Sequence, residues 1–216
     1  MRIEEPASTS HQKRRVAFTA LVFGALLLPG VSQAGDSFTI AVIPDTQNYV
    51  DDRKPQPQSL ATFKAETRYL ADHRHDLKLA FVTHVGDVVQ HGDGTNGAPH
   101  DASYGAGAEW ARAAEAMDIL SAAGVPFGMA IGNHDYDNYS YAVGSRPLRS
   151  TVMWRSYFGS ESPYFAGKPW YGGASDGLSY NPGLSSYQVF SAGGRNFLHI
   201  ALEMEASDAA LAWAQS

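Results

Sequence analysis

Three short segments of the chain carry side chains that are suited to chemistry at a metal ion. They are residues 45–47, 86–90 and 132–135, and each begins where an apolar run ends. Taken singly, such Asp, Asn and Gly pairs are ordinary turn material. Taken together, several carboxylates on one rim would repel each other and raise a pKa, and a divalent cation removes that cost. The three segments therefore predict a metal site.

The residue types suggest a role for each position. Asp45 and Gln47 have alternate-residue spacing, so both could reach one ion, and the two oxygens of Asp87 could bridge two ions. Asn133 offers a neutral carbonyl to the second ion. A pair of ions about 3.5–4 Å apart can hold a phosphoryl oxygen and a nucleophilic water together. His134 would then lie where a leaving group needs a proton or a positive partner.

The elements that must position these residues follow from the hydrophobic pattern. Apolar, β-branched runs predict buried strands over 38–43, 77–85 and 125–131. Helical spacing predicts one helix that opens at Ser59 and another over 109–123. Strands that alternate with helices indicate an α/β fold with a parallel sheet, and ligands of such sheets bind beyond the carboxyl ends of the strands. All three segments lie at those ends.

The rest of the chain, after the third segment, differs in residue composition and pattern. A short helix is predicted over 149–158, and the stretch 160–185 is rich in Gly, Pro and aromatic residues. We interpret that stretch as a long loop that roofs the site. A β-hairpin is predicted from 187–191 and 196–203, followed by a helix from Ser207 or Asp208.

Histidines outside the three segments are predicted to be structural or exposed. His84 is interpreted as a buried neighbour of the second segment and His199 as a packed strand residue. The others are predicted to lie at the surface, with His73 and His75 at a helix end. His91 and His100 could be ligands in principle, but flexible Gly-rich neighbours hold ligands poorly, so both are expected at the loop surface near the mouth of the site. Tyr136 and Tyr139 either line the pocket or cover the loop, and the sequence leaves both readings open.

The three segments resemble the first three motifs of the calcineurin-like metallophosphoesterases, which are usually D-x-H, G-D-x-x-D and G-N-H-D/E. The resemblance implies a metallophosphoesterase-type α/β sandwich, with residues 35–216 as the N-terminal part of a C-terminally incomplete domain. It implies two divalent ions (Mn, Fe, Mg or Zn), bound by Asp45, Gln47, Asp87 and Asn133, with Asp87 as the bridge. His134 would contact the scissile phosphate and assist the leaving group.

Three departures from the family pattern affect these expectations. Gln47 replaces a histidine, and its harder oxygen favours Mn, Mg or Fe over Zn. Gln90 stands where many members have an Asp that orients the catalytic histidine, so Asp135 or a main-chain carbonyl is expected in that role. The later histidine ligands of the family, including G-H-x-H, have no counterpart. We therefore expect at most one tightly held ion and weak or absent turnover from this chain.

The N-terminus has the organisation of a signal peptide. Basic residues 13–15 precede an apolar run, 16–28, and small residues lead to Ala34, after which cleavage is predicted. The apolar run is shorter than the roughly 20 residues that span a bilayer. Residues 1–34 are thus predicted to direct export to the periplasm or the medium, by the general or the twin-arginine route, with no membrane attachment afterwards.

Charge and composition limit the partners. The 216-residue chain has a net charge of −6 and no cysteine. Residues 1–34 hold four Lys/Arg and two Glu, so the remainder has 12 basic and 20 acidic residues, a net charge of −8. Such a surface has no general attraction for nucleic acid. Without thiolates, any metal must be held by N and O donors, and the expected partner is a small phosphorylated substrate.

Two functions from different classes fit the sequence. The first is an exported hydrolase of phosphomonoesters or phosphodiesters that uses metal-activated water. The second is a non-catalytic exported binding module on the same scaffold, in which the aromatic residues Tyr164, Phe165, Trp170 and Tyr171 hold a ligand such as a glycan. Dependence on a divalent metal would distinguish the hydrolase from the binding module.

Overall fold

A parallel sheet forms the centre of the fold. The computed structural model describes residues 37–51, 59–93, 107–137, 150–175 and 183–216. Strands β1 (Thr39–Ile43), β2 (Leu79–His84) and β3 (Phe127–Met129) pair in that order, all parallel. The parallel sheet is as predicted, although each strand is shorter than its apolar run.

The register of the sheet aligns the three strand ends. Ile43 lies opposite His84, and His84 lies opposite Met129. The chain therefore leaves all three strands from one row at the same edge of the sheet. This alignment is what brings the three chemically active segments together, as expected for the carboxyl edge of a parallel sheet.

Helices cover one face of this sheet. Helix α2 (Leu60–Asp72) and helix α3 (Ala108–Ala122) pack against each other and against the sheet, close to the predicted positions. A short helix that the sequence did not predict, α1 (Gln47–Val50), follows β1 directly. Gln47 is consequently the first residue of a helix and not part of an extended strand end.

A second sheet covers the other face. Strands β4 (Tyr171–Ala174), β5 (Ser186–Ala192) and β6 (Arg195–Ala201) form an antiparallel sheet in that order, preceded by helix α4 (Val152–Phe158) and followed by helix α5 (Asp208–Gln215). Phe81 of β2 stacks on Phe190 of β5 with ring centroids 4.6 Å apart. The mixed α/β sandwich agrees with the predicted fold class.

The β5–β6 hairpin turns at two consecutive glycines. Gly193 and Gly194 have φ angles of 54° and 72°, in the left-handed region that a two-residue hairpin turn requires. His199 of β6 lies between the sheets, with Nε2 2.9 Å from Oγ1 of Thr83 and Nδ1 2.7 Å from Oε1 of Gln188. It is a packed strand histidine, as predicted.

The described parts of the stretch 160–185, residues 160–175 and 183–185, do not form the continuous loop that the sequence predicted. They contain strand β4, and the rings of Tyr164 and Phe165 are buried beside Phe127, with centroids 6.0 and 5.6 Å away. Aromatic side chains bury large apolar areas, which favours the core over a polar loop surface. Two of the four aromatic residues proposed to hold a glycan are therefore unavailable for binding.

Strand β1 is not buried on both faces as predicted. Ile40 and Val42 are 45% and 59% exposed, whereas Ile43 is buried. The second sheet packs over β2 and β3, so the outward face of the edge strand β1 is left uncovered. The apolar run in the sequence indicated a strand correctly but overstated its burial.

All described residues belong to one compact unit, Ala34–Ser216. The predicted signal peptide and its cleavage point lie outside the described residues. Within the part of the chain that the structure describes, no helix combines the length and apolarity needed to cross a bilayer.

Candidate metal centre

The three strand-end segments meet at one open cleft of about 320 Å³. Asp45, Asp87 and Asn133 all line it, together with Gly86 and Gly132. These are three of the four residues predicted to bind metal. The fourth, Gln47, is not among the lining residues.

The second and third segments are in direct contact. The main-chain N–H of His134 donates to Oδ1 of Asp87 at 2.9 Å. A Cβ atom at Gly132 would lie 2.2 Å from that oxygen, and one at Gly86 would lie 2.7 Å from the nitrogen of Gly132. Asp87 itself has φ 50°, in the left-handed region. The two glycines are required because the backbones approach too closely for any larger residue.

The buried side chain of Asp135 is hydrogen-bonded to the main chain of both the second and the third segment. Oδ1 of Asp135 accepts the N–H groups of Val88 and Val89 at 2.8 and 3.1 Å, and Oδ2 accepts that of Gly132 at 2.9 Å. Burial raises the pKa of Asp135 to about 8, and the three N–H donors act in the opposite direction. Its hydrogen bonds position the main chain of the loops.

A main-chain carbonyl orients the ring of His134. Nδ1 of His134 lies 3.0 Å from the carbonyl oxygen of Gln90. That oxygen can only accept, so the proton is on Nδ1 and Nε2 is the basic nitrogen. Of the two alternatives that the sequence left open for this role, the structure favours the carbonyl over Asp135. The Gln90 side chain, with Nε2 3.3 Å from the same ring nitrogen, adds no acceptor.

His134 lines a second cleft beside the first. It has a volume of about 440 Å³, and its other lining residues are Gln90, His91, Gly92, Asp93, Tyr136 and Asp137. The main-chain N–H of His134 thus donates to Asp87, which lines the first cleft, whereas His134 itself lines the second cleft. Tyr136 is fully buried as well as lining this cleft.

Asp45 interacts electrostatically with the other two segments. Its Oδ1 accepts the N–H of Gln47 at 3.0 Å. Burial raises the pKa of Asp45 above its usual value, the Gln47 hydrogen bond lowers it, the charge of Asp87 raises it, and His134 lowers it. Repulsion between two carboxylates at one cleft is the situation that a divalent cation relieves.

The amide oxygen of Gln47 is a buried acceptor. Among the described residues, its Oε1 has no hydrogen-bond partner. Leaving such an oxygen unpaired costs about 1–3 kcal/mol, which a cation in contact with it would offset. The donors that line the cleft itself are the carboxylate oxygens of Asp45 and Asp87 and the amide oxygen of Asn133, the set preferred by Mg²⁺ and Mn²⁺. The residues present therefore fit a divalent metal.

A buried network fixes the first segment to the second. Nδ1 of His84 accepts the N–H of Gly86 at 3.1 Å, and its Nε2 lies 3.0 Å from Oγ1 of Thr46. The Thr46 hydroxyl donates to the carbonyl of Val88 at 3.1 Å, so the ring proton is on Nε2. Burial lowers the pKa of His84 to about 3. The prediction of a buried, supporting His84 is confirmed.

The structure also brings together three residues that the sequence analysis did not connect. Asp51, His91 and Glu109 each place a ligand-type atom within 4.8 Å of the others. His91 lies in a loop at the cleft of His134, as expected, but its ring is half-buried and paired with Glu109, so the expectation of an exposed side chain is corrected. His100 lies outside the described residues. The spacing of these three residues in the sequence did not indicate a cluster. Asp51 is brought to the other two by helix α1, which the sequence analysis did not predict.

Comparison with known proteins supports the family assignment. The chain is 26% identical over 183 residues to YvnB of Bacillus subtilis (strain 168), a protein described as uncharacterized. The match covers 85% of this chain and 12% of YvnB, so the chain spans about an eighth of that relative's length. No solved structure matches the chain. The family model described as calcineurin-like phosphoesterase matches residues 38–213, and the chain belongs to this family of metal-binding proteins that act on phosphorylated substrates.

Proposed function

We propose that the protein is an exported, metal-dependent hydrolase of phosphomonoesters or phosphodiesters that acts at the cleft of Asp45, Asp87 and Asn133. The observation that carries the proposal is the convergence of three strand-end loops on this cleft, with His134 hydrogen-bonded to one of its carboxylates. Family membership supports phosphoester hydrolysis in general. The assignment of Asp45, Asp87 and Asn133 is supported by their convergence on the cleft, whereas the place of Gln47 and the two-metal arrangement follow from the resemblance to the family motifs.

Each ligand has a specific part in this proposal. Asp45 and Gln47 would hold one divalent ion, Asn133 would hold a second, and Asp87 would be a ligand of both. When bound, the ions would polarise a phosphoryl oxygen and lower the pKa of the attacking water. The main chain around Gly86 and Gly132 keeps the two loops at contact distance, so the carboxylate and amide oxygens are positioned before any ion arrives.

In this proposal His134 donates a proton to the leaving group. Because its Nδ1 proton is held by the Gln90 carbonyl, Nε2 is the nitrogen that can carry a proton to the departing oxygen. Asn133 and His134 would both contact the phosphate. The 440 Å³ cleft next to His134 is large enough for the organic part of a small substrate.

Hydrolysis of p-nitrophenyl phosphate and its bis ester, with Mn²⁺ and then with EDTA, tests the proposal. We expect activity that requires metal, is lost in D87N and is reduced in H134A, in which the contact of the ring with the phosphate is removed. D72N, which neutralises an exposed carboxylate at the end of α2, is the matched control and should behave like the wild type. Metal-independent activity, or D87N and H134A enzymes as active as the control, would overturn it.

Export is a separate element of the proposal. It rests on residues 1–34, whose basic and apolar pattern is that of a signal peptide. Mass spectrometry of the protein recovered from the periplasm or the medium should show a mature chain that begins at Gly35. A cell-associated chain that retains residues 1–34 would contradict export.

A further inference from the structure

We propose that Asp51, His91 and Glu109 form an additional binding site for one divalent cation, Mn²⁺ or Zn²⁺, separate from the cleft of Asp45 and Asp87. The site is independent of the proposed catalytic function. It rests on a carboxylate–imidazole–carboxylate cluster contributed by three different segments of the fold.

The distances suit a single ion. Mutual separations within 4.8 Å need only small side-chain shifts to surround an ion with ligand bonds of about 2.0–2.2 Å. The carboxylates are shielded from solvent, with Asp51 3% and Glu109 1% exposed. In this setting electrostatic attraction to a cation is much stronger than at an exposed surface.

Glu109 is already oriented as a ligand would be. Its Oε2 accepts the main-chain N–H groups of Gln90 and His91 at 2.8 and 2.9 Å. Its Oε1 faces Nδ1 of His91 at 2.8 Å. Hydrogen bonds to one carboxylate oxygen commonly orient the other toward a metal. On binding, the ion would take the place of the proton shared by His91 and Glu109.

The donor set indicates the kind of ion. Two carboxylate oxygens and one imidazole nitrogen are too hard for Cu⁺; the imidazole suits Zn²⁺, and the two carboxylates suit Mn²⁺. Three protein ligands leave positions for water, as in other sites with three ligands. The chain has no thiolate to compete for the ion.

The position of the cluster gives the ion a structural consequence. Asp51 directly follows α1, His91 lies in the loop after β2, and Glu109 lies in the first turn of α3. One ion would tie these three segments together. His91 also lines the cleft that contains His134, so the ion would add positive charge at the wall where an anionic substrate approaches.

Metal analysis after dialysis against Mn²⁺ and, separately, Zn²⁺ tests the site. The background is the D45N/D87N double variant, in which the proposed catalytic ligands are neutralised. We expect this variant to retain one ion per chain and to show a higher Tm with the ion than without it. Adding H91Q or E109Q should abolish both the ion and the Tm shift. In E109Q, the Gln oxygen can still accept the two main-chain N–H bonds, so the fold is maintained.

The outcomes separate this site from the catalytic proposal. If the D45N/D87N variant binds no ion, or if H91Q and E109Q leave its ion count and Tm shift unchanged, the cluster is a hydrogen-bonded pair with a neighbouring acid and the inference is overturned. If D45N/D87N binds as many ions as the wild type while H91Q removes one, the additional site stands and the catalytic metal assignment fails. Circular dichroism of each variant confirms that it is folded.

Discussion

The main chain of His134 is hydrogen-bonded to the side chain of Asp87, with the N–H donating to Oδ1 at 2.9 Å. One carboxylate is therefore both the proposed metal bridge and the acceptor that fixes the loop carrying the proposed catalytic histidine. Gly132 passes so close to the same oxygen that no side chain fits between them. Metal binding and histidine position are coupled through this one contact.

Asparagine and alanine at position 87 should separate the two roles. D87N keeps an oxygen acceptor for the His134 N–H but loses the charge, so we expect normal folding with activity lowered about 10²–10³-fold. D87A also leaves the N–H without its acceptor, which should lower the free energy of unfolding by about 1–3 kcal/mol. Urea denaturation and kcat/KM with Mn²⁺ measure the two effects. Equal stability of the metal-free D87N and D87A proteins would contradict the structural role.

A methyl group at position 132 should damage the centre without removing any donor. In G132A the Cβ would meet Oδ1 of Asp87 at 2.2 Å, and we expect a loss of about 1–3 kcal/mol in unfolding free energy together with weaker metal binding. G167A is the control, because nothing lies within 4 Å of its Cβ and only its φ of 69° costs about 1 kcal/mol. Isothermal titration with Mn²⁺ and urea denaturation would compare the two. Unchanged metal affinity in G132A would show that the contact is not needed.

The convergence of the three segments could be predicted from the sequence because it follows from a local pattern that repeats three times along the chain. Each apolar run had to become a strand, and alternation with helices made the strands parallel, so Asp45, Asp87 and Asn133 had to leave the sheet at one edge. Their convergence on one cleft follows from the register of strand ends. The supporting role of His84 follows similarly from its place at the end of a buried strand.

Other features depend on tertiary contacts that a linear pattern does not contain. Helix α1 is only four residues long, too short for a periodic signal, and it changes the direction of Gln47. Tyr164 and Phe165 lie among Gly and Pro residues typical of loops, yet their rings fill the core beside Phe127. The His91–Glu109 pair joins residues 18 positions apart in segments with no shared period.

The contribution of His134 should depend on the leaving group. If its Nε2 protonates the departing oxygen, H134A should lose about 10²–10⁴-fold in kcat/KM for alkyl phosphoesters. The loss should be much smaller for p-nitrophenyl esters, whose leaving group departs without protonation. A series of esters with leaving groups of graded pKa provides the measurement. An equal loss across the series would mean that His134 only binds or positions the phosphate.

His84 should make the protein sensitive to acid. Its pKa is lowered to about 3 in the folded chain by burial, against about 6.5 when unfolded. Between these values the unfolded chain binds a proton that the folded chain does not. His84 should therefore cost about 1.4 kcal/mol of stability for each pH unit below 6.5, until the folded ring protonates near pH 3.

Urea denaturation from pH 7 to pH 4 measures this effect. H84N keeps an acceptor near the Gly86 N–H and cannot titrate, so its stability should fall less steeply with decreasing pH than that of the wild type. H75Q removes an exposed histidine and should keep the wild-type slope. Parallel slopes for H84N and the wild type would rule out His84 as the source.

Gln47 should set the metal preference of the centre. Its buried Oε1, without a hydrogen-bond partner among the described residues, is a hard oxygen donor. In Q47H an imidazole nitrogen replaces that oxygen, so the ratio of Zn²⁺ to Mn²⁺ affinity should rise, since nitrogen donors favour Zn²⁺. Q47L, of similar size but without a donor, should weaken both ions. Competition titrations of the three proteins with Zn²⁺ and Mn²⁺ give the ratio. If Q47L binds both ions as the wild type does, the Gln47 oxygen is not a ligand and the first metal position must be held by Asp45 and Asp87 without it.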